Sequence, residues 1–166
     1  MREPLKDKSR LEHILAAVDT ILEKSNGLTH EDLVADKILF GGIVYYTMVI
    51  GEAAYHLSKA FKEKYAETDW VSITKMRHNL VHGYYQVDPD VVWSVLQDDL
   101  LPLREQVTRY LAETDWEKWE KNTQVVTETA VHRNLVQTVK RMKADGMTSQ
   151  QISRYTGLTV EEIEEI

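Results

Sequence analysis

The sequence has no cysteine, only three prolines and seven glycines, and few long hydrophobic runs. Without cysteine the chain cannot form disulfides, use a thiolate as a nucleophile or bind zinc through sulfur. The scarcity of glycine and proline favours a few long elements over many short strands joined by tight turns. The net charge of −7 argues against a protein that coats nucleic acid through bulk charge, although it leaves room for a local basic site.

The chain also lacks an obvious targeting or membrane segment. Its first residues contain no apolar signal core. The longest apolar run, from Ile38 to Ile50, is too short to span a bilayer and is followed by Glu52. We therefore expect a soluble, cytoplasmic protein with no membrane partner.

Apolar residues recur at helical spacing along the chain, and no segment of any length alternates as a strand does. The pattern predicts a first helix that stops near Gly27, a central buried helix over 36–65 and a third helix over 72–82. A fourth helix is expected to begin at Asp88-Pro89-Asp90 and to kink at Pro102. The sequence therefore predicts an all-α fold, with long helices in a bundle.

A change of composition after residue 114 indicates a domain boundary. We expect a helical bundle over 1–114 and a helical extension over 115–166. The extension ends in two short helices, each opened by a capping box, at Thr148 and Thr159. The order of these helices is similar to the start of a helix-turn-helix unit, but the second helix carries four glutamates, which oppose binding to DNA phosphates. The pattern favours an interaction or oligomerisation hairpin.

The densest polar cluster of the chain runs from Lys75 to Tyr85, at the end of the third helix. Arg77 could hold two phosphate oxygens, and His82 could take and return a proton near neutral pH. RNA cleavage without metal needs those two functions. Five residues on a helix place the two side chains about 140° apart. A symmetric dimer that pairs these helix ends could therefore bring two arginines and two histidines into one cleft.

Other residues of this region allow other readings. His78 and His82 are four residues apart and could share a zinc ion, with a third ligand from Glu52, His56 or an aspartate. The glutamate of the metalloprotease motif is missing between them, so we favour a site without metal. Glu52 lies in an apolar stretch, so we expect it to be partly buried and paired with an arginine of the third helix. The hydroxyl of Tyr84 could reach the phosphate site or be a target for modification.

The segment from Arg77 to Tyr84 resembles the signature of the HepT-like toxins of the HEPN superfamily, which is Arg, four residues, His, one residue, Tyr. Similar segments follow at 87–88, 92–93 and 99–103, and the stretches 49–54 and 57–58 resemble the family's second helix. The similarity covers roughly residues 7–113 in consistent order. The chain departs from the family pattern at two places. Many relatives carry Asn directly after the arginine, whereas this chain has His78 there and Asn79 one position later. Leu101 is inserted where the family usually reads Asp-Leu-Pro.

The resemblance implies an up-and-down helical bundle that forms a homodimer, with the arginine and histidine motifs of both chains lining a shared cleft. It implies a toxin that cleaves RNA as a metal-independent endoribonuclease, without a cofactor, by attack of the 2′-hydroxyl. His82 would be the catalytic base or acid and Arg77 the phosphate-binding cation, with Asn79 and Glu52 in support. Tyr84 would be the tyrosine to which a cognate MNT-type nucleotidyltransferase antitoxin attaches AMP.

A second function stays open from the residues alone. The acidic balance and the extra tail fit a non-catalytic, all-helical interaction module that binds a nucleotidyltransferase partner or a nucleotide. Such a module would bind its partner but would not cleave RNA.

Overall fold

A computed structural model describes residues 6–166, apart from the side chains of residues 84, 124 and 126–128. The described residues form helices and no strand, which confirms the all-α prediction. They divide into two compact units, one that ends at Thr114 and one that begins at Asp115.

The first unit contains seven α-helices in chain order: α1 (Asp7–Ser25), α2 (His30–Ala35), α3 (Lys37–Tyr55), α4 (Lys59–Lys64), α5 (Trp70–His82), α6 (Pro89–Ser94) and α7 (Leu100–Glu113). A 3₁₀ turn over Tyr84–Gln86 follows α5, and a π-helical segment over Val95–Asp99 joins α6 to α7. The second unit contains α8 (Trp116–Ala144), α9 (Ser149–Thr156) and α10 (Val160–Glu164).

Helix α3 is the centre of the first unit, because it packs against α1 on one side and α5 on the other. Helix α7 returns to pack against α1 and so closes the bundle. The stripe predicted for α1 is buried in this interior, with Leu11, Ile14, Val18 and Ile21 at most 1% exposed. The bundle therefore holds α5, which carries Arg77 and His82, against its central helix.

The central helix is shorter than the predicted span of 36–65, and that prediction was wrong. Helix α3 ends at Tyr55, and α4 begins after Ser58, whose hydroxyl accepts a hydrogen bond from the backbone N–H of Phe61 at 3.1 Å. The buried carboxylate of Asp7 accepts from the backbone N–H and the hydroxyl of Ser58, at 2.7 and 2.6 Å. The chain therefore breaks here because a side-chain cap and a contact with the start of α1 replace helical hydrogen bonds.

Pro102 lies in the first turn of α7, directly after the π-helical segment. Proline has no N–H to donate to the carbonyl four residues before it, so the helical ladder cannot continue unchanged through this point. The helix type changes directly before the proline, while the kink predicted at Pro102 stays a prediction.

Helix α3 is also, by length and composition alone, apolar enough to cross a membrane, with a mean hydropathy of 1.4 over its apolar window. The apolar run that the sequence analysis judged too short is thus part of a helix of 19 residues. One third of that window is buried within the chain, and core helices of soluble proteins meet the same criterion. The contacts of α3 with α1 and α5 account for its buried side.

The second unit has its own small core. Val139 of α8, Ile152 of α9 and Ile163 of α10 are fully buried together, and Met142, Met147, Leu158 and Ile166 pack around them. The capping boxes predicted at Thr148 and Thr159 are both present. Between them Gly157 has φ +74°, the left-handed conformation that ends α9.

Candidate active site

The backbone of α3 comes very close to α5 beside Arg77. A Cβ placed on Gly51 would lie 2.2 Å from Cβ of Arg77 and 3.1 Å from the carbonyl oxygen of Ile73. Only a glycine at residue 51 allows this approach, which sets the stem of the Arg77 side chain directly on the central helix. Of the glycines in α3, Gly51 packs closely against a neighbouring helix, whereas Gly41 and Gly42 have open space.

The guanidinium of Arg77 forms an ion pair with α3. Its Nε lies 2.8 Å from Oε2 of Glu52, and the other carboxylate oxygen, Oε1, lies 3.1 Å from Nε2 of His56. The Arg77 side chain is 31% exposed, so the cation is held by the fold and still reaches solvent. The structure thus places Glu52 as the sequence predicts, partly buried and paired with an arginine of α5.

His78 and His82 lie together on the outer side of α5. Their ring centroids are 4.4 Å apart, and both side chains are exposed. With Asn79 they line a cleft of about 390 Å³, bounded on the other side by residues 86–92. The cleft therefore brings an amide and two imidazoles within reach of one ligand.

Arg77 does not line that cleft. Helix α5 stays helical as far as His82, and Gly83 closes it by donating its backbone N–H to the carbonyl of Asn79 at 2.8 Å. Because the helix does not fray before His82, the guanidinium and the imidazole of one chain point to different sides of α5. One chain alone does not bring Arg77 and His82 together.

The motif tyrosine follows immediately after this helix end. Residue 84 opens the 3₁₀ turn, so its backbone is fixed two residues beyond His82. Its side chain lies outside the part of the chain that the structure describes. The roles suggested for the Tyr84 hydroxyl thus stay predictions.

A second cleft of about 510 Å³ lies between α3, α5 and α7. Four carboxylates line it, those of Glu67, Asp69, Asp98 and Asp99. Burial raises the pKa of Asp99 above its ordinary value, and the neighbouring charge of Asp98 raises it further. The residues lining this cleft include no lysine or arginine, so it is unsuited to a phosphate and differs from the His78 and His82 cleft.

Sequence reasoning missed one member of the site, since it considered His56 only as a metal ligand. Glu52 and His56 are four residues apart at the end of α3, and this spacing is the signal that could have paired them. Among the described residues no three His, Asp or Glu side chains come close enough to hold a metal ion.

Comparison with known proteins gives consistent matches to ribonucleases. The family model described as "Ribonuclease HepT-like" matches residues 14–110, more than half of the chain. The protein named "Putative RNase TTE0752" from Caldanaerobacter subterraneus is 35% identical over 101 residues, which cover 61% of this chain and 90% of that protein. The "Probable ribonuclease HepT" of Thermococcus cleftensis is 31% identical over 97 residues, covering 58% of this chain and 88% of that protein.

A third relative has a different domain organisation. The "Gamma-glutamylcyclotransferase and putative RNase MJ0434" of Methanocaldococcus jannaschii is 32% identical over 111 residues, which are 67% of this chain and half of that protein. No solved structure gives a significant match. The extension from Asp115 onward lies outside the matched family region. The family match over the first unit, together with these relatives, establishes that the chain belongs to the HepT-like ribonuclease family of the HEPN superfamily.

Proposed function

We propose that this protein is the toxin of a toxin–antitoxin pair and acts as a metal-independent endoribonuclease. The observation that carries the proposal is that α5 carries both a guanidinium that the fold holds in place and, on another side of the helix, an exposed imidazole. Within a chain whose family is ribonucleolytic, these groups supply a phosphate-binding cation and a proton carrier. No cofactor is part of the proposed reaction.

In the proposed reaction His82 accepts the proton of the ribose 2′-hydroxyl while that oxygen attacks the neighbouring phosphorus. The P–O5′ bond breaks and O5′ takes up a proton, which leaves a 2′,3′-cyclic phosphate on one fragment and a 5′-hydroxyl on the other. Arg77 donates hydrogen bonds to the phosphate oxygens, where negative charge grows in the transition state. Glu52 keeps the guanidinium of Arg77 oriented through its ion pair. Asn79 offers an amide to the cleft that His82 lines.

We further propose that the active form is a homodimer. Arg77 and His82 lie on different sides of one α5, so a shared cleft needs the second chain to complete it. Ile38, Tyr45 and Glu52 succeed one another at seven-residue intervals and therefore follow one side of α3. Ile38 is 87% and Tyr45 57% exposed, and this side ends at the Arg77 ion pair. A second copy seated here would cover the apolar surface and join the two sites.

The dimer can be tested by light scattering on the purified protein. Tyr45→Lys is expected to give a monomer without ribonuclease activity, because it places a charge in the proposed interface. Leu101→Lys, which changes an apolar residue of α7 that is also exposed, is the matched control and should leave both properties unchanged. A Tyr45→Lys variant that stays dimeric and active would refute the proposed interface.

Ribonuclease activity can be tested with purified protein and RNA in EDTA. Arg77→Ala and His82→Ala should each lose cleavage by about 100-fold or more, the usual scale for an oxyanion donor or a general base. Arg104→Ala removes another arginine–carboxylate pair, with Asp19, and His13→Ala removes another exposed histidine, so both serve as controls. Unchanged cleavage in the first two variants would refute the assignment.

We propose that the cognate antitoxin is an MNT-type nucleotidyltransferase that attaches AMP to Tyr84. AMP is bulky and anionic, so beside the cleft it would block access and offset the charge of Arg77. Intact mass after co-expression with the neighbouring gene's product should show added AMP units, which Tyr84→Phe should abolish and Tyr85→Phe should not. A fully inhibited but unmodified toxin would show that neutralisation works by blocking instead.

We also propose a cytoplasmic location. The apolar outer side of α3 is then covered by the second copy and not by lipid. Recovery of the dimer from the soluble fraction without detergent is the expected result, and recovery only from membranes would contradict it.

A further inference from the structure

The cleft beside α5 contains a second imidazole that the roles assigned above do not use. His78 and His82 are both exposed, their ring centroids are 4.4 Å apart, and both line the same cleft. The rings are close enough for both to reach groups of one nucleotide linkage. The question is what chemistry a second imidazole adds next to the first.

Cleavage by 2′-hydroxyl attack needs two proton transfers. A base removes the proton of the attacking oxygen, and an acid protonates the leaving O5′, which is a poor leaving group as an alkoxide. The two oxygens lie on opposite sides of the phosphorus, so one side chain cannot serve both at the same moment. A base with no acid beside it would leave the departing oxygen unprotonated.

The described side chains of the cleft offer few acids. Arg77 lies outside the cleft. The amide of Asn79 does not titrate, and the carboxylate of Asp88 accepts a hydrogen bond from the backbone N–H of Asp90 at 2.9 Å as the cap of α6. An imidazole can either accept or donate a proton through its ring nitrogens, so an adjacent pair of rings can supply a base and an acid together.

We infer that His78 is the general acid of this ribonuclease, an inference that rests on the proposed function. His82 takes the 2′-hydroxyl proton, O2′ bonds to phosphorus, the P–O5′ bond breaks, and O5′ takes the proton of the His78 imidazolium. His82 then carries one proton more and His78 one fewer, and exchange with water restores both. The ligand class is an RNA phosphodiester that spans the two rings.

Two other uses of the His78 ring give different outcomes. A ring that only stacks on a base would contribute to binding whatever the leaving group is. If the acid were instead His82 of the partner subunit, loss of the His78 ring would change little. A leaving group that needs no proton therefore separates these possibilities.

The experiment uses an RNA oligonucleotide that the wild-type protein cleaves in EDTA, and the same oligonucleotide with sulfur in place of O5′ at the mapped bond. A thiolate departs without protonation, so a general acid gives it no help. His78→Asn is expected to lose about 100-fold or more on the oxygen substrate and to cleave the sulfur substrate nearly as fast as wild type. His82→Ala should lose cleavage of both, and His13→Asn, at an exposed histidine of α1, should match wild type on both.

Each other result overturns a defined statement. If the His78→Asn variant cleaves the oxygen substrate like wild type, His78 is not the acid, although the proposed ribonuclease function stands. If it loses both substrates equally while its melting temperature is unchanged, His78 binds or positions RNA and the acid role is refuted. If the wild-type protein cleaves no RNA, the proposed function fails and this inference with it.

Discussion

Replacing Gly51 with alanine tests whether the approach of α3 to α5 controls both stability and the position of Arg77. The added Cβ would meet Cβ of Arg77 at 2.2 Å, and the two carbons would have to separate by a further 1.2 Å to reach ordinary contact at 3.4 Å. The obstructing atom belongs to the base of a helical residue, so no side-chain rotation relieves the overlap. Helix α5 must therefore move away from the central helix.

The magnitude follows from two opposing effects. Overpacking of this kind costs about 1–3 kcal/mol, and a backbone-level overlap belongs at the upper end. Alanine in place of glycine within a helix returns about 1 kcal/mol. We expect Gly51→Ala to lower the free energy of unfolding by about 2 kcal/mol net, which corresponds to a melting temperature lower by about 4–8 °C for a protein of this size.

Gly41→Ala is the matched control, because Gly41 is in the same helix and a Cβ there meets nothing within 4 Å. It should gain up to about 1 kcal/mol. Thermal unfolding followed by circular dichroism measures both variants, and RNA cleavage should fall in Gly51→Ala as the Arg77 side chain is displaced. Equal stability of the two variants would refute the reasoning.

Three further predictions concern stability. Asp99→Asn should raise the melting temperature at pH 7. Burial and the charge of Asp98 raise the pKa of Asp99 in the folded state, so the stability of the wild-type protein falls as pH rises through that pKa. The gain of the variant over wild type should therefore shrink in acid, which melting curves at several pH values would measure. Asp7→Ala leaves the N–H and hydroxyl of Ser58 without their buried acceptor, so chemical denaturation should register a loss of about 2–3 kcal/mol. Gly157→Ala forces a side chain into a conformation with φ +74°, and unfolding of the second unit should show a loss of about 1–2 kcal/mol; no change would contradict the role given to that turn.

The sequence predicted the elements whose signals are local. The stripe of α1, the start of α6 at Asp88-Pro89 and the two capping boxes of the second unit depend on residues within one or two turns, and all are present. The end of α3 was missed because the residue that stabilises it, Asp7, lies 51 positions away from Ser58. Periodicity cannot register a contact of that range.

The features of the site that depend on residues close together in the sequence were also predictable. Helix geometry placed Arg77 and His82 on different sides of α5, and the apolar setting of Glu52 pointed to an arginine partner. The contact between the rings of His78 and His82 follows from four-residue spacing, but the spacing alone does not distinguish a metal pair from a proton-transfer pair. The closeness of Gly51 to Arg77 could not be predicted, because it depends on how two helices cross.

The return of α7 to α1 has a consequence for synthesis of the chain on the ribosome. Arg104 of α7 bonds to Asp19 of α1 across 85 positions, whereas α9 packs against α8 and α10, the helices directly before and after it in the chain. At about 5–20 residues per second, the side of α1 that α7 covers waits roughly 4–17 seconds for its cover to emerge. During that interval the nascent chain exposes apolar surface to chaperones and proteases, while the second unit can fold as soon as it emerges.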